Sequence, residues 1–275
     1  MSGMLYLVPT PIGNLSDVSQ RCRDTLANAD FIAAEDTRVS LRLLNHLDIK
    51  KPLVSYYEHN KEQSGPKIVA RILEGETCAL VSDAGSPAIS DPGEDLVRLC
   101  AEAGIPVCAI PGPCAAITAL SISALPTGRF CFEGFLSTNK KSRRAHLDAL
   151  LGENRTMIFY EAPHKLRDTL KDLSAAFGEE RRISLCRELT KLHEEVLRMT
   201  LREACAYYEA QEPRGEYVLI VEGAPQVKEE ALTEETALTM VARRIEQGMS
   251  KKDAVKEVSK LTGFPKNALY EAALK

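Results

Sequence analysis

The feature that most constrains the fold is an alternation. Over the first 125 residues, short apolar runs at 5–8, 31–34, 53–56, 78–82 and 107–110 are separated by segments with helical spacing of apolar positions at 17–27, 40–47, 64–73 and 94–103. Strands separated by helix-length segments cannot pair as tight hairpins, so they predict a mostly parallel sheet with crossover helices, an α/β domain over residues 1–125. After Pro126 the texture changes. Runs at 130–136, 156–160, 183–185, 195–199 and 217–221, with longer charged helices between them, predict a second α/β domain over 126–224. A polar, acidic linker then leads to helical patterns only, at 234–247, 251–261 and 266–273, giving a small basic helical unit over 232–275.

A chain of 275 residues with 44% hydrophobic content can bury more than one core. Its formal charge of -4 gives no global basic field, so contact with a nucleic acid must come from local patches. The eight cysteines include no C-x-x-C pair and fall mostly in apolar runs, which reads as reduced core thiols and predicts no metal site. Residues 103–128 carry no charge, long enough to span a bilayer, but Pro106, Pro111, Pro113 and Pro126 break the run into a strand, a turn and a small-residue helix. The N-terminus lacks a basic segment, and Pro9 and Pro11 interrupt its apolar run, so no signal peptide is expected and a cytoplasmic location is.

Three loops leaving predicted strands are unusual. They are Pro9-Thr10-Pro11-Ile12-Gly13-Asn14, the stretch from Asp83-Ala84-Gly85-Ser86 to Asp91-Pro92-Gly93, and Pro111-Gly112-Pro113-Cys114-Ala115. In a parallel sheet the carboxyl ends of the strands share one edge, where ligands bind. Small residues expose backbone groups there and prolines fix the path; each loop alone would pass for an ordinary turn. No G-x-x-x-x-G-K-[ST] or post-strand G-x-G-x-x-G appears, so a ligand without a polyphosphate is favoured. A fourth cluster, Glu35-Asp36-Thr37-Arg38, suits either proton transfer or capping of the next helix.

Together the ordered motifs resemble the ribosomal RNA small subunit methyltransferase I family, within the tetrapyrrole methylase superfamily. The likeness rests on the stretch from Leu7 through Leu15, on Ala34-Glu35-Asp36-Thr37-Arg38, on the stretch from Ser82 through Gly93, and on Ile110-Pro111-Gly112-Pro113, Phe132-Glu133-Gly134-Phe135-Leu136 and Tyr160-Glu161-Ala162-Pro163-His164. It implies two α/β domains of the tetrapyrrole methylase type with a small helical C-terminal unit, a homodimer, and S-adenosylmethionine bound between the domains. The implied reaction is 2′-O-methylation of a cytidine ribose in the decoding region of 16S rRNA, in the small ribosomal subunit. Carried over by position, the cofactor residues are Ile12, Ala84, Gly85, Ser86, Ile89, Cys114, Ala115, Glu161 and Leu189. Tetrapyrrole methylases carry a glycine-rich first loop ending in aspartate; Pro9, Pro11 and Asn14 depart from that and imply a different substrate.

A sulfonium is already a reactive methyl donor, so orientation carries much of the work, up to roughly 7–11 kcal/mol. A ribose hydroxyl is a weak acid, which makes Glu35, Asp36 and Arg38 the catalytic candidates, with His59 and Lys191 behind them. RNA phosphates call for cations. Lys140, Lys141, Arg143 and Arg144 form one cluster; Lys251, Lys252 and Lys256 lie in a lysine-rich tail with a helix-turn-helix pattern, capped by Ser250 and divided at Gly263 and Pro265. A C-methyltransferase acting on a tetrapyrrole precursor is the alternative. A DNA-binding regulator, third, leaves the first-domain loops unexplained.

Overall fold

The computed structural model describes residues 3–225 and 234–272, so the acidic linker and the last three residues lie outside the described part. The chain divides into two compact units, Met1–Ala224 and Pro225–Lys275.

The first unit holds two five-stranded sheets. In the first, β1 (Leu5–Leu7), β2 (Phe31–Ala34), β3 (Leu53–Ser55), β4 (Cys78–Val81) and β5 (Val107–Ala109) are all parallel, in the order β3-β2-β4-β1-β5. The crossovers are α1 (Gln20–Asn28), α2 (Thr37–His46), α3 (Lys61–Leu73) and α4 (Gly93–Glu102). Period-two alternation sends Ile32, Ala34, Ala79 and Val81 into a core with Leu26 and Leu44, while Phe31, Ala33, Cys78 and Leu80 pack against Ile68, Ile72 and Leu96. Burial on both faces is why these strands read as continuous apolar runs.

Three helix starts differ by three residues from the sequence expectation. α2 begins at Thr37 rather than 40, with Asp36 as its cap. α1 begins at Gln20 rather than 17 because the Ser19 hydroxyl caps it, accepting from Cys22 N at 3.2 Å, and Asn14 holds Leu15–Asp17 in a 3-10 turn. α3 begins at Lys61, three residues early, and Pro66 falls inside it. The Lys61 ammonium pins that first turn through Glu58 and Asp95, each at 2.8 Å.

α5 (Ala115–Ile122) leads to the second sheet. There β6 (Phe130–Phe135), β7 (Thr156–Glu161), β8 (Arg182–Arg187), β9 (Glu195–Thr200) and β10 (Tyr217–Val221) run in the order β6-β7-β10-β8-β9. Only β6 and β7 are parallel; the other pairs are antiparallel. One face packs on α6 (Lys140–Ala149), α7 (Leu166–Phe177) and α8 (Leu201–Ala210), with Phe159, Leu170, Leu185, Leu201 and Leu219 at its centre. The other face meets α5: Ala116, Ala119 and Leu120 pack against Ile158, Cys186, Val218 and Ile220. Within the uncharged stretch at 103–128, Ile105, Ile110, Ala116, Ala119, Leu120 and Leu125 are buried while Val107 and Ile117 are exposed, and no helix among the described residues is long and apolar enough to cross a membrane.

The second unit contains α9 (Glu234–Glu246), α10 (Lys251–Thr262) and α11 (Lys266–Ala272) around Ala237, Val241, Ala254, Val255, Val258 and Leu269. Ser250 caps α10, accepting from Asp253 N, and Gly263 ends it in the left-handed conformation at φ 76°. Position 273, expected to end the last helix, is outside the described residues.

Phe159 is fully buried on the central part of the second sheet. Phe159→Ala is expected to cost about 3–5 kcal/mol through lost transfer energy and a residual cavity, measured as a shift of the denaturant midpoint.

Candidate functional site

The carboxyl ends of β1, β4 and β5 deliver the three proline- and glycine-containing loops to one edge, and backbone contacts weld them together. Thr10 N donates to Gly85 O at 2.9 Å and Gly85 N to Thr10 O at 3.1 Å, while the Thr10 hydroxyl donates to Ser82 O at 3.1 Å. The Ser86 hydroxyl reaches Pro113 O at 3.0 Å. A Cβ on Gly112 would lie 2.3 Å from Pro9 Cγ, so glycine is what lets the first and third loops touch.

Against this edge stands the second sheet, and between them lies a cavity of about 510 Å³. Ile12, Ala84, Gly85, Ser86, Ile89, Cys114 and Ala115 line it from the first side, Glu161 and Leu189 from the second. All nine positions singled out by the resemblance therefore meet at one cavity. Its other walls include Phe135 and Tyr160, which lie in the motifs that carry the resemblance without an assigned cofactor role, and Glu216 and Tyr217. The two sides close tightly at one corner, where a Cβ on Gly13 would lie 2.5 Å from Lys191 Cγ.

The described lining has five acids, Glu35, Asp83, Asp91, Glu161 and Glu216, and no lysine, arginine or histidine. Burial, then the neighbouring charges of Asp83 and Asp91, hold the Glu35 carboxyl above its ordinary proton affinity. Glu161 is only 4% exposed, and its carboxylate accepts from Ala162 N at 2.9 Å and from the Thr169 hydroxyl, so it shapes the wall with both oxygens engaged. Burial raises the Tyr160 phenol to about 12; its oxygen accepts from Ala116 N at 3.2 Å.

The catalytic candidates separate. Glu35 faces the cavity, whereas Asp36 and Arg38 do not line it. Asp36 caps α2, accepting from Arg38 N at 2.8 Å, and its carboxylate binds the exposed Arg38 guanidinium, which holds it down at about 2. The capping alternative thus describes Asp36. His59 is exposed beside Tyr57, outside the lining. The Lys191 ammonium is shared between Glu188 and Glu216, each at 2.8 Å. Among the cations expected to meet RNA, Lys140, Lys141 and Arg144 are exposed, and Lys252 and Lys256 are exposed on α10. Lys251 sits 5.2 Å from the Tyr270 ring centroid. Arg143 differs from that expectation: its side chain is only 13% exposed and bonded to Asp172 at 2.5 Å and Thr169 at 2.7 Å, so its charge is spent inside the fold.

Comparison with known proteins agrees with this architecture. Residues 4–205 match the tetrapyrrole (corrin/porphyrin) methylases, and residues 230–275 match the RsmI C-terminal HTH domain. The chain is 50% identical over 271 residues to ribosomal RNA small subunit methyltransferase I of Halalkalibacterium halodurans, covering 98% of this chain and 93% of the relative. It belongs to the ribosomal RNA small subunit methyltransferase I family. The Synechocystis member is 44% identical over 272 residues, 99% of this chain and 98% of its own. Among solved structures, a uroporphyrin-III-C-methyltransferase from Thermus thermophilus superposes with a TM-score of 0.57 at 21% identity, covering 80% of this chain and 94% of that one. A diphthine synthase does so at 0.61 and 13%, covering 80% and 90%. At those identities the likeness is one of fold. In this ribosomal RNA small subunit methyltransferase I family member the segment matched to the methylases holds the whole first sheet and β6–β9 of the second, β10 follows it, and α9–α11 fall in the segment matched to the HTH domain.

The raised Glu35 has a consequence for stability. The folded chain holds this proton more tightly than an unfolded one, so the associated stability is full below the ordinary carboxylate range and is lost as pH rises through the raised value. Glu35→Gln is expected to raise the thermal midpoint at neutral pH and to change it little below about pH 4. Melting both proteins across that range checks the sign; an increment independent of pH would contradict it.

Proposed function

We propose that the chain is a cytoplasmic, S-adenosylmethionine-dependent methyltransferase acting on the 2′-hydroxyl of a cytidine ribose in the decoding region of 16S rRNA, within the small ribosomal subunit. The observation that carries this reading is the cation-free, acid-walled cavity, set in a chain that shares half its residues with a ribosomal RNA small subunit methyltransferase I. Acidic walls favour a ligand bearing a sulfonium and an ammonium and disfavour a polyphosphate. Gly85 also fits the group: a Cβ there would stand 3.3 Å from Ile12 Cγ2, so glycine keeps the wall open to a flat adenosine. Ile12, Ala84–Ser86, Ile89, Cys114, Ala115, Glu161 and Leu189 would hold it.

Bound there, S-adenosylmethionine supplies a methyl group on a positively charged sulfur. The chain's own residues orient the ribose, exclude water, and accept the hydroxyl proton at the Glu35 carboxylate, whose raised proton affinity suits a general base. Asp36 and Arg38 position Glu35 from outside: the Asp36 backbone N–H donates to Asp83 at 3.0 Å, fixing the turn that follows β2. Lysines on α6 and α10 supply contacts to phosphate. The same cations favour RNA over the alternative, C-methylation of a tetrapyrrole precursor. A homodimer accompanies the reading; exposed Val107 and Ile117 leave apolar surface for a second copy, and sedimentation equilibrium tests it.

Labelled methyl transfer offered to small subunits, free 16S rRNA and a tetrapyrrole precursor separates the two chemistries. Label in a ribose of 16S rRNA is expected, and label on the precursor alone would establish the alternative. Glu35→Gln is expected to lower kcat about 100-fold while leaving S-adenosylmethionine affinity near that of the unaltered chain. Deleting residues 230–275 is expected to weaken binding of the RNA substrate while cofactor binding persists; equal loss of both would make the tail a structural element.

A further inference from the structure

Beside the cavity lies a second depression, a groove of about 740 Å³ between α6 and α7. The two share a partition. At the end of β6, Phe135 lines the cavity and Ser137 the groove; after β7, Pro163 lines the cavity and Lys165 the groove. Between them runs a chain of hydrogen bonds from Glu161 through Thr169 to Arg143 and Asp172.

The charge changes sign across that partition. Lys140, Arg143, Arg144, Lys165 and Lys171 line the groove together with Asp148, Asp168 and Asp172, an excess of two cations, and Arg143 is already bonded to Asp172. Lys140 and Lys165 make no ion pair among the described residues, and the pairs Arg144–Asp148 at 3.8 Å and Lys171–Glu209 at 3.9 Å are long and exposed, so these cations remain available to an anion.

Phe135 stands where groove and cavity meet. A register shift between Phe132 and Gly134, with Gly134 at φ 62°, re-aims the strand end. Phe135 is 57% exposed, its ring 5.5 Å from that of Tyr160, which is itself packed on Phe132 at 5.1 Å and anchored through its hydroxyl. A rigidly backed, open aromatic ring is a surface for a planar base.

We propose that the α6–α7 groove is the entry track for a single RNA strand, whose phosphates follow the lysines while the target base leaves its stack and rests on Phe135. The inference rests on the RNA-methylating reading above. A ribose reacting inside a cavity requires an unstacked nucleotide, and an acidic cavity needs cations nearby to hold the flanking backbone.

The test uses the full chain with intact small subunits at several salt concentrations, alongside calorimetric titration of S-adenosylmethionine. Lys140→Ala with Lys165→Ala is expected to raise KM for subunits about tenfold and to reduce the slope of log affinity against log salt by about 1–2. Cofactor affinity should stay within about twofold, since neither lysine lines the cavity. Phe135→Ala is expected to lower kcat/KM about tenfold, with recovery in Phe135→Trp and no matching loss of cofactor affinity. An unchanged KM and salt slope in the lysine variant would overturn the track, and a parallel fall in cofactor affinity in Phe135→Ala would assign the ring to the adenine instead. If the unaltered chain transfers no methyl to RNA, the failure lies in the functional reading beneath the proposal.

Discussion

The paired backbone hydrogen bonds between Thr10 and Gly85 are the constraint from which the candidate site follows. β1 and β4 are parallel neighbours, so the loops leaving them start side by side; past the strand ends the Thr10–Gly85 exchange joins those loops by an isolated antiparallel bridge. Gly85 adopts φ 81° to do so, a conformation costly to a residue with a side chain. Once these loops are joined, Ser86 can reach Pro113 and Pro9 can pack over Gly112, and three separate turns become one wall. Such a wall loses little conformational freedom when a ligand arrives, which preserves binding energy.

A chain with net charge -4 must handle an anionic substrate locally, and its charges are sorted accordingly. The acids converge on the cavity, while α6 and α10 carry exposed lysines. Exposed charges are screened over about 10 Å at 0.1 M salt, so the average charge matters less than what lies within that range of a phosphate. The Glu161–Thr169–Arg143–Asp172 chain runs between the two regions and gives a buried carboxylate and a nearly buried guanidinium their partners.

The parts legible in the sequence were those whose requirements are local. Continuous apolar runs mark buried parallel strands, and Pro9, Pro11, Gly85 and Gly112 mark loops whose conformation depends on their own residue types. Arg143 was illegible because its partner, Asp172, comes from another helix 29 residues on. The same limit hid Asp83 and Asp91 as the charges that tune Glu35, since the fold alone brings the loop after β4 to the end of β2. Phe135 was visible as an aromatic, but its prominence depends on a bulge whose register is set by β7. The late start of α1 and the early start of α3 turned on Ser19 as a cap and on the ion pairs of Lys61.

Non-glycine residues in the left-handed region carry no such signature, and two pairs of them flank the cavity: Ala88 and Ser90 on one lip, Glu188 and Thr190 on the other. Each such backbone costs of order 1–3 kcal/mol and persists only where neighbours over-determine it. Asp91 does this on the first lip, accepting from Ala88 N at 3.0 Å and from Gly93 N at 2.8 Å. On the second, Glu188 is held by Lys191 and by Glu216 N, and Gly215 leaves it room, since a Cβ there would lie 2.5 Å from Glu188 Cγ. The residues securing the strained turns are therefore charged groups at or beside the cavity, so the electrostatics that would select a ligand also hold the loops in the shape that would receive it.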